Sequence, residues 1–459
     1  MSLAALVGLV IVLAGLVIGI HAPGDNSFLT HLATGRIIWD TQAVPTHDPY
    51  TFTVPGQEWV VQSWLASLLF VTADHIGGLR AVMVSLGMAT TALAFIVWQL
   101  TKPARTLVPR LAVASLALAV GAGFWVERPL LFGLVAFGIA LLAAEGRIKP
   151  QWLVPTMWLW VNAHGSFPLG LVALAALYAG RRLDKEDASI ELGALKWAAI
   201  GTAVAAVNPL GPRLLLFPLE LLRKQDILQY IVEWQAPRFT SLDERFFLLE
   251  VAIAIALLVR RPRWRAALPL MIFLTASLLG ARNIVAASLV LVPGLAAGLA
   301  DLGSLDGTER RFLYRPIAML MCALAGIVAM SQLNTPLLKI NSHYPVQAIT
   351  HAETLGLIGP GHRLIAQDFV GNYLEGRYGT SASVFIDDRY DMSPRSLVMD
   401  YADLLGGRPN WAEILDRHDA EAVLWEAKQP LASLLLASDD WRVVYVDKEW
   451  LLLVPTTRP

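Results

Sequence analysis

Long apolar runs separated by short polar breaks fill the first three quarters of the chain. Runs read as membrane spans fall at about 3–21, 79–100, 106–125, 128–144, 150–164, 166–180, 192–208, 246–260, 266–281, 284–300 and 316–332. Each is expected to be helical. The run at 60–76 is apolar but carries Gln62, Ser63, Asp74 and His75. An amphipathic stretch, Leu214–Leu222, lies in an external loop at about 210–245 and is expected on the bilayer surface. After Gln332 the pattern shortens. Strands are expected at 363–367, 383–387, 422–425 and 442–446, with helices at 394–405, 411–417 and 430–437. Strands alternating with helices predict an α/β layer with a partly parallel sheet.

The polar breaks orient these spans. Basic clusters stand at Lys102/Arg105/Arg110, Arg147/Lys149, Arg181/Arg182/Lys185, Arg260/Arg261/Arg263/Arg265 and Arg310/Arg311/Arg315. The positive-inside rule places all five in the cytoplasm. They share one side only if 60–76 lies along the outer surface as an interfacial helix. About eleven spans then thread with the N-terminus inside and the C-terminus outside. The expected division is a membrane domain over 1–335, with its first external loop at 22–78, and an extracytoplasmic α/β domain over 336–459.

Composition agrees with this α-helical polytopic membrane class. Of 459 residues, 56% are hydrophobic and 16% charged, against about 25% charged in soluble proteins. Mean hydropathy is +0.54. A net charge of −1 gives no basic field for a nucleic-acid partner. Cys322, the single cysteine, cannot form an internal disulfide. Residues 1–20 lack the basic start and small-residue cleavage motif of a signal peptide, so they read as a retained first span. No HExxH, paired CxxC or GxSxG motif is present, which removes zinc-protease, zinc-ribbon and serine-hydrolase readings. No phosphate-binding glycine loop marks the tail as a nucleotide domain.

The inferred outer face collects the polar chemistry. The first loop holds His21, Asp25, His31, Arg36, His47 and Asp48, with Trp59 and Trp64 beyond. Asp25 has two compatible readings. Gly-Asp-Asn-Ser before an apolar run is a helix N-cap. A carboxylate beside the membrane also suits a general base or a divalent-cation ligand. His31, and Gly35 one helical turn further, share a face where glycine permits close approach. His31 reads as a packed interfacial residue or a ligand. Asp48, before Pro49, reads as a turn residue or a cavity group. Arg128 and Arg282, at outer span ends, read as snorkelling side chains or clamps on a lipid phosphate. Asn162 and His164, between two closely spaced apolar runs, must find partners.

The sequence resembles the bacterial polytopic membrane proteins of the GT-C glycosyltransferase superfamily, in its dolichyl-phosphate-mannose–protein mannosyltransferase-like group. The likeness rests on Asp25-x5-His31-Leu-Ala-Thr-Gly-Arg36, Pro45-x2-Asp48-Pro-Tyr-Thr-Phe-Thr and Trp59-x4-Trp64-Leu. It continues through Arg128-Pro, Trp160-Val-Asn162-Ala-His164-Gly, Asn208-Pro-Leu-Gly, Glu233-Trp234 and Arg282 into Tyr344-Pro-Val, Phe385-Ile-Asp387-Asp388-Arg389 and Trp441. It implies an enzyme of the cell membrane that moves a sugar from a polyprenyl-phosphate-linked donor to an extracytoplasmic glycan, lipid or protein acceptor. The catalytic carboxylate falls on Asp25. His31, Arg36, Asp48, Arg128, Asn162, His164 and Arg282 are expected to contact substrate. Relatives often carry a second acid two residues on, where this chain has Ser27. That departure weakens an Asp-x-Asp metal pair and leaves the cofactor, a divalent cation or none, undetermined. A lipid-linked-sugar transporter and a non-catalytic envelope-assembly subunit are the rival classes.

Overall fold

The structure, a computed structural model, describes residues 1–224, 227, 234–300, 303, 311–335 and 344–456. Arg310 and Glu233, quoted above, lie outside them. The chain is mostly helical with a small C-terminal sheet. It forms two compact units. One comprises Met1–Pro23, Thr72–Leu219 and Ile231–Thr335; the other comprises Gly24–Val71, Glu220–Tyr230 and Pro336–Pro459.

In the first unit every apolar run forms a helix. Among the described residues, three helices are long and apolar enough to cross a membrane: Trp64–Leu100, Ala281–Gly298 and Arg311–Asn334. Leu3–Gly19, Leu107–Gly121, Leu130–Ala144 and Trp264–Leu279 are shorter apolar helices. Trp64–Leu100 is broken at Gly77–Gly78, where Gly78 takes φ +63°. A left-handed glycine is the residue that permits such a break. The polar-marked run at 60–76 is thereby separated from the run at 79–100.

Helix packing here follows small residues. Gly15 and Gly19, one turn apart on Leu3–Gly19, both face Thr90; a Cβ at Gly15 would overlap Thr90 and Ala94, and one at Gly19 would overlap Thr90. Close backbone approach through small residues is the main packing device between apolar helices. Phe137 stacks on Phe273 with centroids 5.9 Å apart, beside the fully buried Trp160. Arg265 pairs with Glu145 (2.7 Å) and the buried Glu191 (2.8 Å), while Arg181 reaches Glu191 (3.0 Å) and Glu186 (2.6 Å). Asp184 accepts the amides of Trp264 (2.8 Å) and Arg265 (3.0 Å). Arginines of the basic clusters therefore also tie helix connections together.

The second unit contains a four-stranded sheet of order β1-β2-β4-β3, with β1 Leu364–Ala366, β2 Ala422–Glu426, β3 Trp441–Val446 and β4 Trp450–Pro455. β1 and β2 are parallel, Leu364 opposite Ala422; β2–β4 and β4–β3 are antiparallel. The sheet is thus partly parallel, as expected. The three expected helices form as Arg395–Gly406, Trp411–Arg417 and Pro430–Ala437. Residues 383–387 do not form the expected strand. Ser383 adopts φ +51°, which interrupts extended backbone, and only Val384 makes bridges, to Leu364 and Thr51. Through them a first-loop segment joins this domain: the Phe52 amide donates to the Val384 carbonyl (3.0 Å), and the Val384 amide donates to that of Tyr50 (3.0 Å).

Candidate active site

The helix Asn26–Thr41 starts at Asp25, whose extended backbone (φ −85°, ψ 130°) and side chain make it the N-cap, Oδ1 accepting the Ser27 amide at 3.0 Å. The capping reading of Asp25 therefore holds, and the cap fixes the carboxylate's direction. The first turn then reaches into the C-terminal residues. Ser27 Oγ donates to Asp388 Oδ2 at 2.5 Å. Asn372, on the helix Asp368–Tyr378, donates to Asp388 Oδ1 and to Thr30 Oγ1, both at 2.7 Å. Thr30 donates to Glu375 at 2.5 Å, and the Tyr344 hydroxyl donates to Asn26 at 2.8 Å.

One turn further, His31 Nδ1 lies 3.0 Å from Ser67 Oγ and its ring tilts against Phe70. Gly35 is buried where a Cβ would overlap the Ser67 carbonyl. The close approach expected at this glycine is to backbone of the helix beginning at Trp64. Gly35→Ala is accordingly expected to destabilise the protein by about 1–3 kcal/mol, the usual cost of overpacking. Thermal unfolding of the detergent-solubilised chain should show it, with Gly326→Ala as the neutral control because nothing lies within 4 Å of a Cβ there. Arg36 is exposed and donates to the Gly376 carbonyl (2.9 Å) at the end of the facing helix.

Asp48 is enclosed. Its Oδ1 accepts from Arg389 Nη2 at 2.8 Å, and its Oδ2 accepts the Thr51 amide (2.9 Å) and the Thr51 hydroxyl. Arg389 also binds Asp387 at 2.5 Å and lies 3.5 Å from Glu375. Its guanidinium sits over Trp59 (4.4 Å) and Tyr50 (4.9 Å). A planar cation that stacks and forks suits such a box. The Asp48 carboxylate thus holds the 48–59 loop to a buried arginine.

Burial sets the electrostatics. Burial and the neighbouring Asp387 charge push Glu375 well above the ordinary carboxylate value. Burial works against ionised Asp387 too, but Arg389 and the Glu375 hydrogen bond keep it below that value. Asp388 is half-buried. Burial, with the charges of Asp387 and Asp25, pushes its carboxyl up to about 6, against the hydrogen bonds from Ser27 and Asn372.

The other four sequence-derived residues belong to the first unit. Asn162 is fully buried and donates to the Trp158 carbonyl (2.7 Å), closing its own helix turn. His164 ends that helix, Leu153–Ala163, and its Nδ1 accepts the Ser166 amide at 3.2 Å. Arg282 stacks 3.4 Å from the Trp234 ring, which leaves the guanidinium edge as its donor face. Arg128 follows Glu127, which is buried and lies 3.8 Å from His21 Nε2.

Sequence reasoning assigned no role to Ser27, Asn372, Glu375, Asp387, Asp388 or Arg389. The one legible signal was the charged triplet Asp387-Asp388-Arg389 directly after the apolar Val384-Phe385-Ile386. Charges abutting a buried run must be paired. Among the described residues, no group of three or more His, Cys, Asp or Glu side chains is placed to hold a metal. The Asp25–Asp388 neighbourhood supplies two carboxylates.

No protein-family model matches the chain, and no curated protein matches it. Solved structures do. The Archaeoglobus fulgidus oligosaccharyltransferase in its apo form aligns over 93% of this chain and 70% of its own, at 11% identity and a TM-score of 0.55. The arabinofuranosyltransferase AftD from Mycobacteria aligns over 99% of this chain at 12% identity and a TM-score of 0.52. A mutant form of AftD gives 13% identity and a TM-score of 0.50. This chain spans 40% and 42% of those two AftD chains. At such identities the likeness is one of fold, and the fold is GT-C-like.

Proposed function

Proceeding from a GT-C-like fold, we propose that the chain is an integral-membrane glycosyltransferase. It transfers a sugar from a polyprenyl-phosphate-linked donor to an extracytoplasmic acceptor, with Asp25 as the catalytic carboxylate. The observation that carries this reading is Asp25 itself. A carboxylate held in a fixed direction by the helix it caps stands in a chain whose solved fold neighbours are named as glycosyltransferases.

In the proposed reaction Asp25 accepts the proton of an acceptor hydroxyl. The freed oxygen attacks the sugar's anomeric carbon as its bond to phosphate breaks, and polyprenyl phosphate leaves. Attack opposite the leaving group inverts the centre. Positioned proton acceptance of this kind contributes about 10²–10⁴-fold. Arg128 and Arg282 are proposed to steady the phosphate, since a guanidinium edge matches it bidentately. His31, Arg36, Asn162 and His164 are proposed substrate contacts, and Asp48 contributes through Arg389. Eleven spans are proposed, with the N-terminus cytoplasmic and the C-terminal domain outside the cell membrane. The helical apolar runs and the break at Gly77–Gly78 support that threading.

A deletion strain complemented with wild type or Asp25→Asn, at matched protein levels, tests the reading through lipid extracts and surface glycans. The deletion and the Asp25→Asn strain are both expected to accumulate one polyprenyl-phosphate sugar and lose one glycan feature. Full restoration by Asp25→Asn would leave Asp25 a helix cap alone and overturn the mechanism.

A further inference from the structure

The C-terminal sheet ends on polar groups that the fold leaves unused. β1 and β2 run parallel with Ala366 opposite Leu424. The next residues, Gln367 and Trp425, therefore stand side by side at the carboxyl ends of two strands, which lie about 4.8 Å apart. Gln367 is 3% exposed and Trp425 0%. The Gln367 Oε1 acceptor and the Trp425 Nε1 donor are both buried without a hydrogen-bond partner. Buried polar groups are ordinarily satisfied. Two orphans of opposite kind on neighbouring residues mark a place that something else completes.

The surrounding side chains define what is left over. Gln367 Nε2 (3.5 Å) and Gln429 Nε2 (2.9 Å) both donate to Oε2 of the half-buried Glu426. Gln367 and Gln429 are the N-caps of helices Asp368–Tyr378 and Pro430–Ala437, yet neither side chain caps its helix. Their amides turn instead to one carboxylate oxygen, and Glu426 Oε1 takes part in neither bond. Asp368, by contrast, is spent: the hydroxyls of Tyr390 (2.7 Å) and Tyr401 (2.8 Å) donate to it. Tyr401 also meets the Trp425 ring edge-on, with centroids 6.4 Å apart, and holds it in place.

We propose that the carboxyl ends of β1 and β2 form a carbohydrate-binding site, where sugar hydroxyls complete Gln367, Trp425 and Glu426. A hydroxyl both donates and accepts. One hydroxyl donates to Gln367 Oε1 and accepts from Trp425 Nε1, and a neighbouring one donates to Glu426 Oε1. An anionic ligand would meet the Glu426 charge, and an ammonium group has no acceptor for the Trp425 donor. A neutral sugar is the class that uses all three. The carboxyl ends of parallel strands are also where open α/β sheets bind ligands. The site lies wholly within the C-terminal domain and stands independently of transfer at Asp25.

The test is saturation-transfer NMR on the full-length protein in nanodiscs, with the methyl α-glycosides of mannose, glucose and galactose as probes. At least one glycoside is expected to bind wild type. Gln367→Met, which is close in volume, and Glu426→Gln should each weaken that binding about tenfold, the upper range for one net hydrogen bond. Without sugar, Gln367→Met should keep the unfolding temperature, because the orphaned oxygen leaves with the substitution and Gln429 still serves Glu426. Should Gln367→Met fail to fold, Glu426→Gln decides alone. Failure of every glycoside to bind wild type would mean a buried water only and would overturn the proposal. Wild-type binding in the folded variants would overturn it equally. Binding lost in Asp25→Asn but kept in Gln367→Met would put the sugar at the transfer centre, which overturns this proposal and leaves the transferase reading intact.

Discussion

Arg389→Met is expected to be the most damaging single substitution in the second unit, with a loss of about 3–5 kcal/mol. That is the usual cost of removing one partner from a buried ionic group, set against a total stability of about 5–15 kcal/mol. The reason is what remains behind. Asp48 and Asp387 lose their cation in a site where both side chains are at most 1% exposed. Trp59 and Tyr50 lose the plane on which they pack. The damage should reach the first loop, because Asp48 is its tie to Arg389 and Thr53 donates to the Phe385 carbonyl nearby (2.8 Å). Limited proteolysis of the solubilised full-length chain should cut within 44–60 in the variant and spare wild type. Adding Asp48→Asn should cost less in Arg389→Met than in wild type, since the orphaned charge is then gone. Equal costs in both backgrounds would mean that the pair is not coupled.

Asp25→Ser and Asp25→Ala separate the two duties of one side chain. Serine is a good N-cap, whereas alanine costs about 1 kcal/mol at such a position. Asp25→Ser is expected to keep the unfolding temperature and lose transfer by about 10²–10⁴-fold, the contribution of a positioned proton acceptor. Asp25→Ala should lose both. The readouts are thermal unfolding and transfer in liposomes supplied with membranes of the deletion strain. If Asp25→Ser transfers at the wild-type rate, capping is the whole role of the residue.

Helices, strands and caps were legible because each is encoded within a short window. Every long apolar run of the first unit became a helix, and the Gly-Asp-Asn-Ser stretch became the N-cap it resembled. Helices Trp411–Arg417 and Pro430–Ala437 fell where their local pattern placed them. β4, Trp450–Pro455, was missed because a continuous apolar run of that length carries no alternation. Helix Asp368–Tyr378 was missed because Gly371, Gly376 and the polar Asn372 and Glu375 interrupt its apolar stripe.

By itself, then, the sequence determined the helical apolar body, the tail of mixed helices and strands, and the cap at Asp25, because backbone hydrogen bonding and hydrophobic periodicity act over a few residues. Only the tertiary structure decided the partners of the ionisable groups. Asp48 meets Arg389 across 341 positions and Ser27 meets Asp388 across 361. A carboxylate carries no record of which distant cation or hydroxyl will replace its lost water. That choice is made where β1, Val384 and the Tyr50–Phe52 segment pair.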